Sequence, residues 1–375
     1  VNILIYLDYA ATTPVDAGVL ETFNESTIKY FANPNTSHQL GNEAFARIRL
    51  AEERILSLLG LSDREIVFTS GASEANNLAI TGYAQQNIHG GRHIITTFLE
   101  HSSVTGPFMS LKDKGYDLEF VDIDKNGRVD PDSLRSLLRQ DTSFVSICLV
   151  DSETGIIQDI DAIAREIKKY PNCIFHVDAT QAIGKIDIDL KKADLITFSA
   201  HKFYGINGCG ALIKTNDISL EPQIKGGLSL TPYRSGTPSV SLITSMERAL
   251  IASIEKLESR KKIIKALNND LKEFFQQISS VKINSTSYSI SNILNVSIDG
   301  IKGEDVAQHL SDKGIYLSAK SACSAPNTPS RSVYAITRDK KRALSSFRIS
   351  LSHLTTSKEL EVFKNEFINC IDSLI

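Results

Sequence analysis

The feature that most constrains this chain is a series of short apolar segments. Each stops at or just before a polar residue, and stretches of helical period lie between them. Glu65-Ile66-Val67-Phe68-Thr69 stops at Ser70-Gly71, and segments 93–97, 144–150, 174–177 and 195–198 read the same way. Stretches such as 44–59 and 160–169 place apolar residues at helical spacing. Strands separated by helices predict a largely parallel sheet covered on both faces. Ligands of such sheets gather at the carboxyl ends of the strands, so the polar residues after each apolar run are the ones to inspect. The pattern changes near residue 250. Leu242, Met246, Leu250, Ile254 and Leu257 share one helix face, and charges thicken through 255–262. This predicts a long helix leading into a smaller α+β domain.

Composition removes several classes. With 42% hydrophobic and 23% charged residues the chain is globular, and 375 residues suffice for two closely packed domains. The net charge of -3 gives no bulk electrostatic reason to bind nucleic acid or an anionic membrane. Five cysteines (Cys148, Cys173, Cys209, Cys323 and Cys370) include no CxxC pair, so neither a disulfide framework nor a zinc ribbon is expected and no metal is implied. There is no apolar run of membrane-spanning length, and residues 1–6 lack the basic flank of a signal peptide. The expectation is a soluble cytoplasmic enzyme whose free cysteines, Cys323 excepted, are packing residues.

Three strand-end segments carry chemistry. In Ser70-Gly71-Ala72-Ser73 a strand ends and a helix begins with small and capping residues, which suits either an ordinary helix cap or a phosphate bound by free amides and the Ser73 hydroxyl. Asp178, at the end of an apolar strand, needs a cationic or hydrogen-bonding partner, and Gln181 lies one turn on. Lys202, in Ser199-Ala200-His201-Lys202, is a lysine just past a buried strand; desolvation lowers such an amine's pKa and suits it to Schiff-base chemistry. Together, in this order, they are the parts of a pyridoxal 5'-phosphate site: a phosphate anchor, a carboxylate for the pyridine nitrogen, and an amine for the aldehyde.

On these segments, and on Tyr6-Leu7-Asp8-Tyr9-Ala10-Ala11-Thr12-Thr13-Pro14, Ala32-Asn33-Pro34, Arg234-Ser235-Gly236-Thr237-Pro238 and Ser321-Ala322-Cys323, the sequence resembles the cysteine desulfurases of the class V, fold-type I pyridoxal-phosphate family, long-loop branch, nearly end to end. The resemblance implies an α/β fold with a large cofactor-binding domain (15–250), a small α+β domain carrying the cysteine loop (251–375), and an N-terminal segment (1–14) packed on the latter. It implies that Lys202 holds the cofactor and moves protons, Asp178 pairs with the pyridine nitrogen and Gln181 with the phenolic oxygen. Ala72, Ser73, Ser199 and His201 would bind the phosphate, His101 would stack on the ring and assist proton transfer, and Thr237 would reach the neighbouring subunit's cofactor in a homodimer. Cys323 would take sulfur from L-cysteine as a persulfide, leaving L-alanine, and Arg348 would bind the substrate carboxylate through a bidentate pair. A sulfur-acceptor protein, an iron–sulfur scaffold or a tRNA-thiolation enzyme, would receive it.

Cys323 sits among small polar residues; Lys320 nearby would favour its thiolate, and 325–332 reads as a mobile arm. The departures are local. Asp151-Ser152-Glu153-Thr154-Gly155 stands where the family has Asn-Asn-Glu-x-Gly, so Ser152 replaces an Asn that contacts cofactor and substrate. Segment 226–233 replaces a Gly-rich stretch, Lys320 a common Gly or Ser, and Ser352 a Gly. These leave room for a class V relative with another substrate, a selenocysteine lyase or an aminotransferase, or for a sulfur-system or DNA-modification assembly protein with weak catalysis. Seven basic residues between Lys320 and Arg348 face one acid, Asp339, which reads as a solvated helix face or a docking surface for an acidic acceptor.

Overall fold

A computed structural model describes residues 4–320 and 325–374. Seven strands form the large sheet, in the order Glu65–Thr69, Gly210–Lys214, Leu195–Ser199, Ile174–Asp178, Thr142–Cys148, His93–Thr96, Asp117–Phe120. All neighbours run parallel except Gly210–Lys214, which is antiparallel to both of its partners. The central strands are buried along their whole length, as strands covered on both faces must be. One face packs Val145, Ile147, Val177, Ile196, Ile213 and Leu250 together; the other packs Val67, Leu78, Ile94, Val104, Phe108 and Leu212.

The expected helix face near 250 is divided. One helix spans Val240–Glu255 and a second Leu257–Gln276, with Lys256 between them at φ -100 ψ 7. Leu257 therefore opens the second helix and does not extend the first. The second helix leads to a three-stranded antiparallel sheet of Val281–Ile283, Ile293–Ile298 and Ser346–Ser350, with Ile293–Ile298 in the middle. This sheet has its own core, in which Phe275, Phe347, Phe363 and Phe367 meet at ring-centroid distances from 5.1 to 6.3 Å. Burying each such ring contributes roughly 2–3 kcal/mol. Ile5 and Leu7 belong to this core, and Ile5–Tyr6 pairs in parallel with Ile315–Tyr316. The N-terminal segment thereby lies across the second sheet and reaches the large one through Ala10. Cys148, Cys173, Cys209 and Cys370 are buried free thiols. Among the described residues no helix is long and apolar enough to cross a membrane.

Candidate active site

At the carboxyl ends of the large-sheet strands lies a cavity of about 370 Å³. Its walls come from five strand ends, from Ala10 and Ala11 of the N-terminal segment, and from Arg348 of the small sheet. Of the residues singled out by sequence, Lys202, His101, Asp178, Gln181, Ala72, Ser73, His201, Ser152 and Arg348 all line it. Ser199 stands behind the wall, its hydroxyl bonded to His201 Nδ1 at 2.8 Å and to the Cys209 carbonyl at 3.3 Å. Thr237 is exposed in a separate depression of about 240 Å³ that shares Ser70 with the cavity. Cys323 lies outside the described residues.

The 70–73 turn sits where the Glu65–Thr69 strand meets the helix starting at Ala72. Glycine is required opposite it. A Cβ on Gly210 would lie 2.6 Å from the Gly71 backbone, so the strand carrying Gly210 packs directly under the turn. Glu74 ties the turn down by accepting from the Ser70 N–H at 2.7 Å and from Arg234 Nε at 3.0 Å. Burial opposes its charge, but these bonds hold its carboxyl below the ordinary range.

Asp178 ends the Ile174–Asp178 strand and is 6% exposed. One carboxylate oxygen accepts from the Thr180 N–H at 2.9 Å, the other from Asn76 Nδ2 at 3.0 Å. His101 caps the helix Ser102–Asp113, and its Nδ1 accepts from the Ser103 N–H. Burial pushes its pKa down, with the Asp178 charge opposing, so the ring is neutral at physiological pH. Burial, then the charges of Lys202 and Lys185, lower His201 to about 4, and it too is neutral there.

Lys202 Nζ donates to the Ala10 and Ala11 carbonyls at 2.8 and 2.7 Å. Gln181 Nε2 donates to the same Ala10 carbonyl at 2.8 Å, and Gln181 Oε1 accepts from the buried amine of Lys185. That contact fixes which end of the Gln181 amide is a donor. Burial, reinforced by Lys202 and Arg348, pushes the Lys185 amine well below its ordinary pKa.

Arg348, 2% exposed, donates through Nη2 to Asp8 Oδ1 at 2.7 Å and through Nη1 to the Ser152 carbonyl at 2.9 Å. Asp8 is held in turn by the Ser318 hydroxyl at 2.8 Å. The expectation of a guanidinium fork open for a carboxylate is thus only partly met, because one donor on each terminal nitrogen is engaged internally.

Several contacts bear on the cysteine arm. The Lys320 ammonium pairs with Glu304 at 2.7 Å and donates to the Ala325 and Thr328 carbonyls at 2.7 and 2.9 Å. Segment 325–332 is tied down near its end. Ser330 caps the helix Arg331–Thr337 and bonds Glu153, while the Ser332 hydroxyl donates to Asp151 Oδ1 at 2.9 Å. Asp151, the acid in place of a family Asn, is wholly buried, and burial raises its pKa against hydrogen bonds from Thr154 and Ser332. The basic cluster also divides. Lys320, Arg342 and Arg348 are spent internally, Arg342 on the Asn284 side chain at 2.6 Å and the Ile283 carbonyl at 2.9 Å. Arg331, Arg338, Lys340 and Lys341 are exposed, although Arg331 also donates to the Glu100 carbonyl at 3.0 Å.

Sequence reasoning missed Asn76, Ser103, Thr180, Lys185 and the partnership of Asp8 with Arg348. Only Lys185 carried a signal, a lysine four residues past Gln181 on the same turn.

The cavity fits pyridoxal phosphate on its own chemistry. Thr180 Oγ1 and Arg348 Nε are buried, belong to residues lining the cavity, and find no partner among the described residues. Buried donors without acceptors are costly unless a polar ligand completes them. An amine, a carboxylate and an amide donor converge on the same space.

Comparison with known proteins agrees. The Aminotransferase class-V family model matches residues 5–363. Cysteine desulfurase IscS of Psychromonas ingrahamii is 39% identical over 366 residues, 95% of this chain and 90% of that protein. Among solved structures, a NifS-like protein superposes with a TM-score of 0.92 at 32% identity, covering 99% of this chain and all of that one. SspA in complex with cysteine superposes with a TM-score of 0.81 at 32% identity, covering 94% of this chain and all of that one. The chain belongs to the class V aminotransferase family, among its cysteine desulfurases. Members of this family use pyridoxal phosphate.

Proposed function

We propose that this protein removes sulfur from L-cysteine, releasing L-alanine and leaving a persulfide on Cys323 for delivery to an acceptor protein. The observation that carries the reading is the convergence of the Lys202 amine, the Asp178 carboxylate and the Arg348 guanidinium on one cavity. When bound, the cofactor supplies an electron-withdrawing pyridinium ring that accepts the electron pair left when the substrate Cα–H breaks. Lys202 holds the cofactor and, once released from it, takes that proton. Asp178 keeps the pyridine nitrogen protonated, and Gln181 directs its free Nε2–H to the phenolic oxygen. Ala72, Ser73 and His201 hold the phosphate, with Ser199 orienting the His201 ring; the Thr237 of a second copy completes that site in a homodimer. His101 covers the ring and Arg348 holds the substrate carboxylate, beside Ser152. The Cys323 thiolate attacks the substrate sulfur. The C–S bond breaks, an S–S bond forms, and the carbon fragment gains protons to become alanine.

The chain divides, on this reading, into 1–14, 15–250 and 251–375, works in the cytoplasm, and meets an acidic acceptor at the face of Arg331, Arg338, Lys340 and Lys341. The acceptor is an iron–sulfur scaffold or a tRNA-thiolation enzyme. The test is mass spectrometry of Cys323 after L-cysteine is added to cofactor-loaded protein, with alanine measured and candidate acceptors present or absent. One added sulfur on Cys323, equimolar alanine, and loss of that sulfur to one acceptor are expected; Cys323→Ser keeps the cofactor's colour and shows no persulfide. Turnover of selenocysteine or transamination without sulfur on Cys323 would replace this reading with its class V rivals.

A further inference from the structure

Under the cavity floor lies a buried chain of polar groups that the proposed chemistry does not use. Asn76 is fully buried, and both ends of its amide are engaged. Nδ2 reaches Asp178 Oδ2 at 3.0 Å and Ser103 Oγ at 2.9 Å, and Oδ1 meets Thr197 Oγ1 at 2.5 Å. Thr197 in turn meets His176 Nε2 at 3.2 Å, and His176 Nδ1 meets Ser146 Oγ at 2.8 Å. Ser103 Oγ lies 2.8 Å from His101 Nδ1.

The directions of these bonds follow from donor and acceptor inventory alone. A carboxylate accepts, so Asn76 must present its NH₂ to Asp178. The second hydrogen of that NH₂ goes to Ser103 Oγ, which frees the Ser103 hydroxyl hydrogen for His101 Nδ1. The Ser103 N–H already points at that same nitrogen at 3.2 Å. His101 Nδ1 is therefore an acceptor twice over, and the ring's proton sits on Nε2. In the other direction, Asn76 Oδ1 takes the Thr197 hydroxyl hydrogen, so Thr197 can accept from His176 Nε2–H. Burial holds His176 at about 4, and its neutral ring keeps this polarity at physiological pH.

We propose that Asn76 is a positioning residue through which the Asp178 carboxylate reinforces the Nε2–H tautomer of His101, by way of Ser103. One side chain thereby couples two walls of the cavity. Asp178 holds the orientation of the Asn76 amide, and that orientation turns the Ser103 hydroxyl into the second donor, beside the Ser103 N–H, that keeps the His101 proton on Nε2. This deepens the reading of Asp178 and His101 given above, but the coupling exists in the protein without cofactor and is measured there. Its failure is therefore separable from failure of the desulfurase reading.

The test uses full-length protein labelled with ¹⁵N-histidine, stripped of cofactor, and long-range ¹H–¹⁵N correlation at neutral pH, with His101→Gln identifying the signal. The parent shows one His101 tautomer, with a bare Nδ1 and a protonated Nε2. Ser103→Ala, which removes the hydroxyl but keeps the backbone N–H, and Asn76→Leu, which removes the bridge, each give a second, Nδ1–H tautomer or exchange broadening. Equilibrium dialysis separates the two arms. Asn76→Leu also weakens pyridoxal-phosphate binding about tenfold, the equivalent of one hydrogen bond to a charged group, while Ser103→Ala changes it by less than about threefold. A parent His101 protonated on Nδ1 overturns the proposal. So does an unchanged single Nε2–H tautomer in Ser103→Ala, the removal of one hydroxyl from a half-buried cavity-lining residue, which decides the matter even where Asn76→Leu does not fold.

Discussion

The Asp178 wall and the Arg348 wall of the same cavity hold their charges by different means. Asp178 is fixed by donors beside the large sheet, the Thr180 N–H two residues on and the Asn76 amide on an adjoining helix. The guanidinium of Arg348 is fixed by groups 340 and 196 positions away, Asp8 and the Ser152 carbonyl. One wall is complete once a single sheet has folded. The other exists only when the N-terminal segment, the turn after the Thr142–Cys148 strand and the small sheet are docked together. Steps that depend on Asp178 should therefore tolerate loosening between the two sheets, and steps that depend on Arg348 should not.

The largest effect expected comes from replacing each charge. Asp178→Asn should lower kcat by about 10²-fold or more, with weaker cofactor retention, since the pyridine nitrogen loses its anion. Arg348→Met should instead raise KM for L-cysteine by roughly 10²-fold, with a smaller change in kcat, as loss of ground-state binding does. Steady-state kinetics at saturating cofactor distinguish the two, and an identical kcat–KM pattern in both variants breaks the contrast.

Asp8→Ala is the next largest. It leaves Arg348 buried beside an unpaired position, and removing one partner of such a pair costs about 3 kcal/mol. Because Asp8 is 17% exposed at the side chain, the lower end of that range applies. A lower Tm together with a raised KM is expected, while the affinity for pyridoxal phosphate alone stays near that of the parent.

The last effect, read as a slope rather than a loss of activity, concerns the Asp178 side. Glu100 is 2% exposed, and its Oε1 accepts from the Cys148 N–H at 2.8 Å and from Thr97 Oγ1 at 2.9 Å. Burial raises its carboxyl from 4.5 to about 8. An acid with a raised folded pKa binds more protons folded than unfolded, so its contribution is fully present below 4.5 and is lost as pH rises toward 8. Thermal melts should show Tm falling across that window, with a shallower slope in Glu100→Gln. A slope unchanged by the substitution would mean that Glu100 is ionised in the folded protein.

The strand-end residues were legible because parallel strands, buried on both faces, write themselves as apolar runs that stop where the backbone meets the cavity. Thr69 ends such a run and its strand; Asp178 and Ser199 directly follow runs read to 177 and 198, and each observed strand extends one residue to include them. The break at Lys256 was not legible, since Leu257 keeps the apolar spacing across it. The internal use of Lys320 and Arg342 was hidden for a similar reason. A cation reads as solvated until the carboxylate or carbonyl that captures it is brought near by folding, as Glu304 and Asn284 are.

Residue order alone thus determined the family, the cofactor class and the residues at the strand ends, because local apolar periodicity and rare ordered motifs are properties of the linear chain. Tertiary structure alone decided that Asp8 holds Arg348, that Asn76 bridges Asp178 to His101, and that Ser330 and Ser332 anchor the arm following the cysteine. Hydrogen bonds join whatever donors and acceptors burial brings within about 3 Å, and that proximity is set by packing between segments far apart in the sequence.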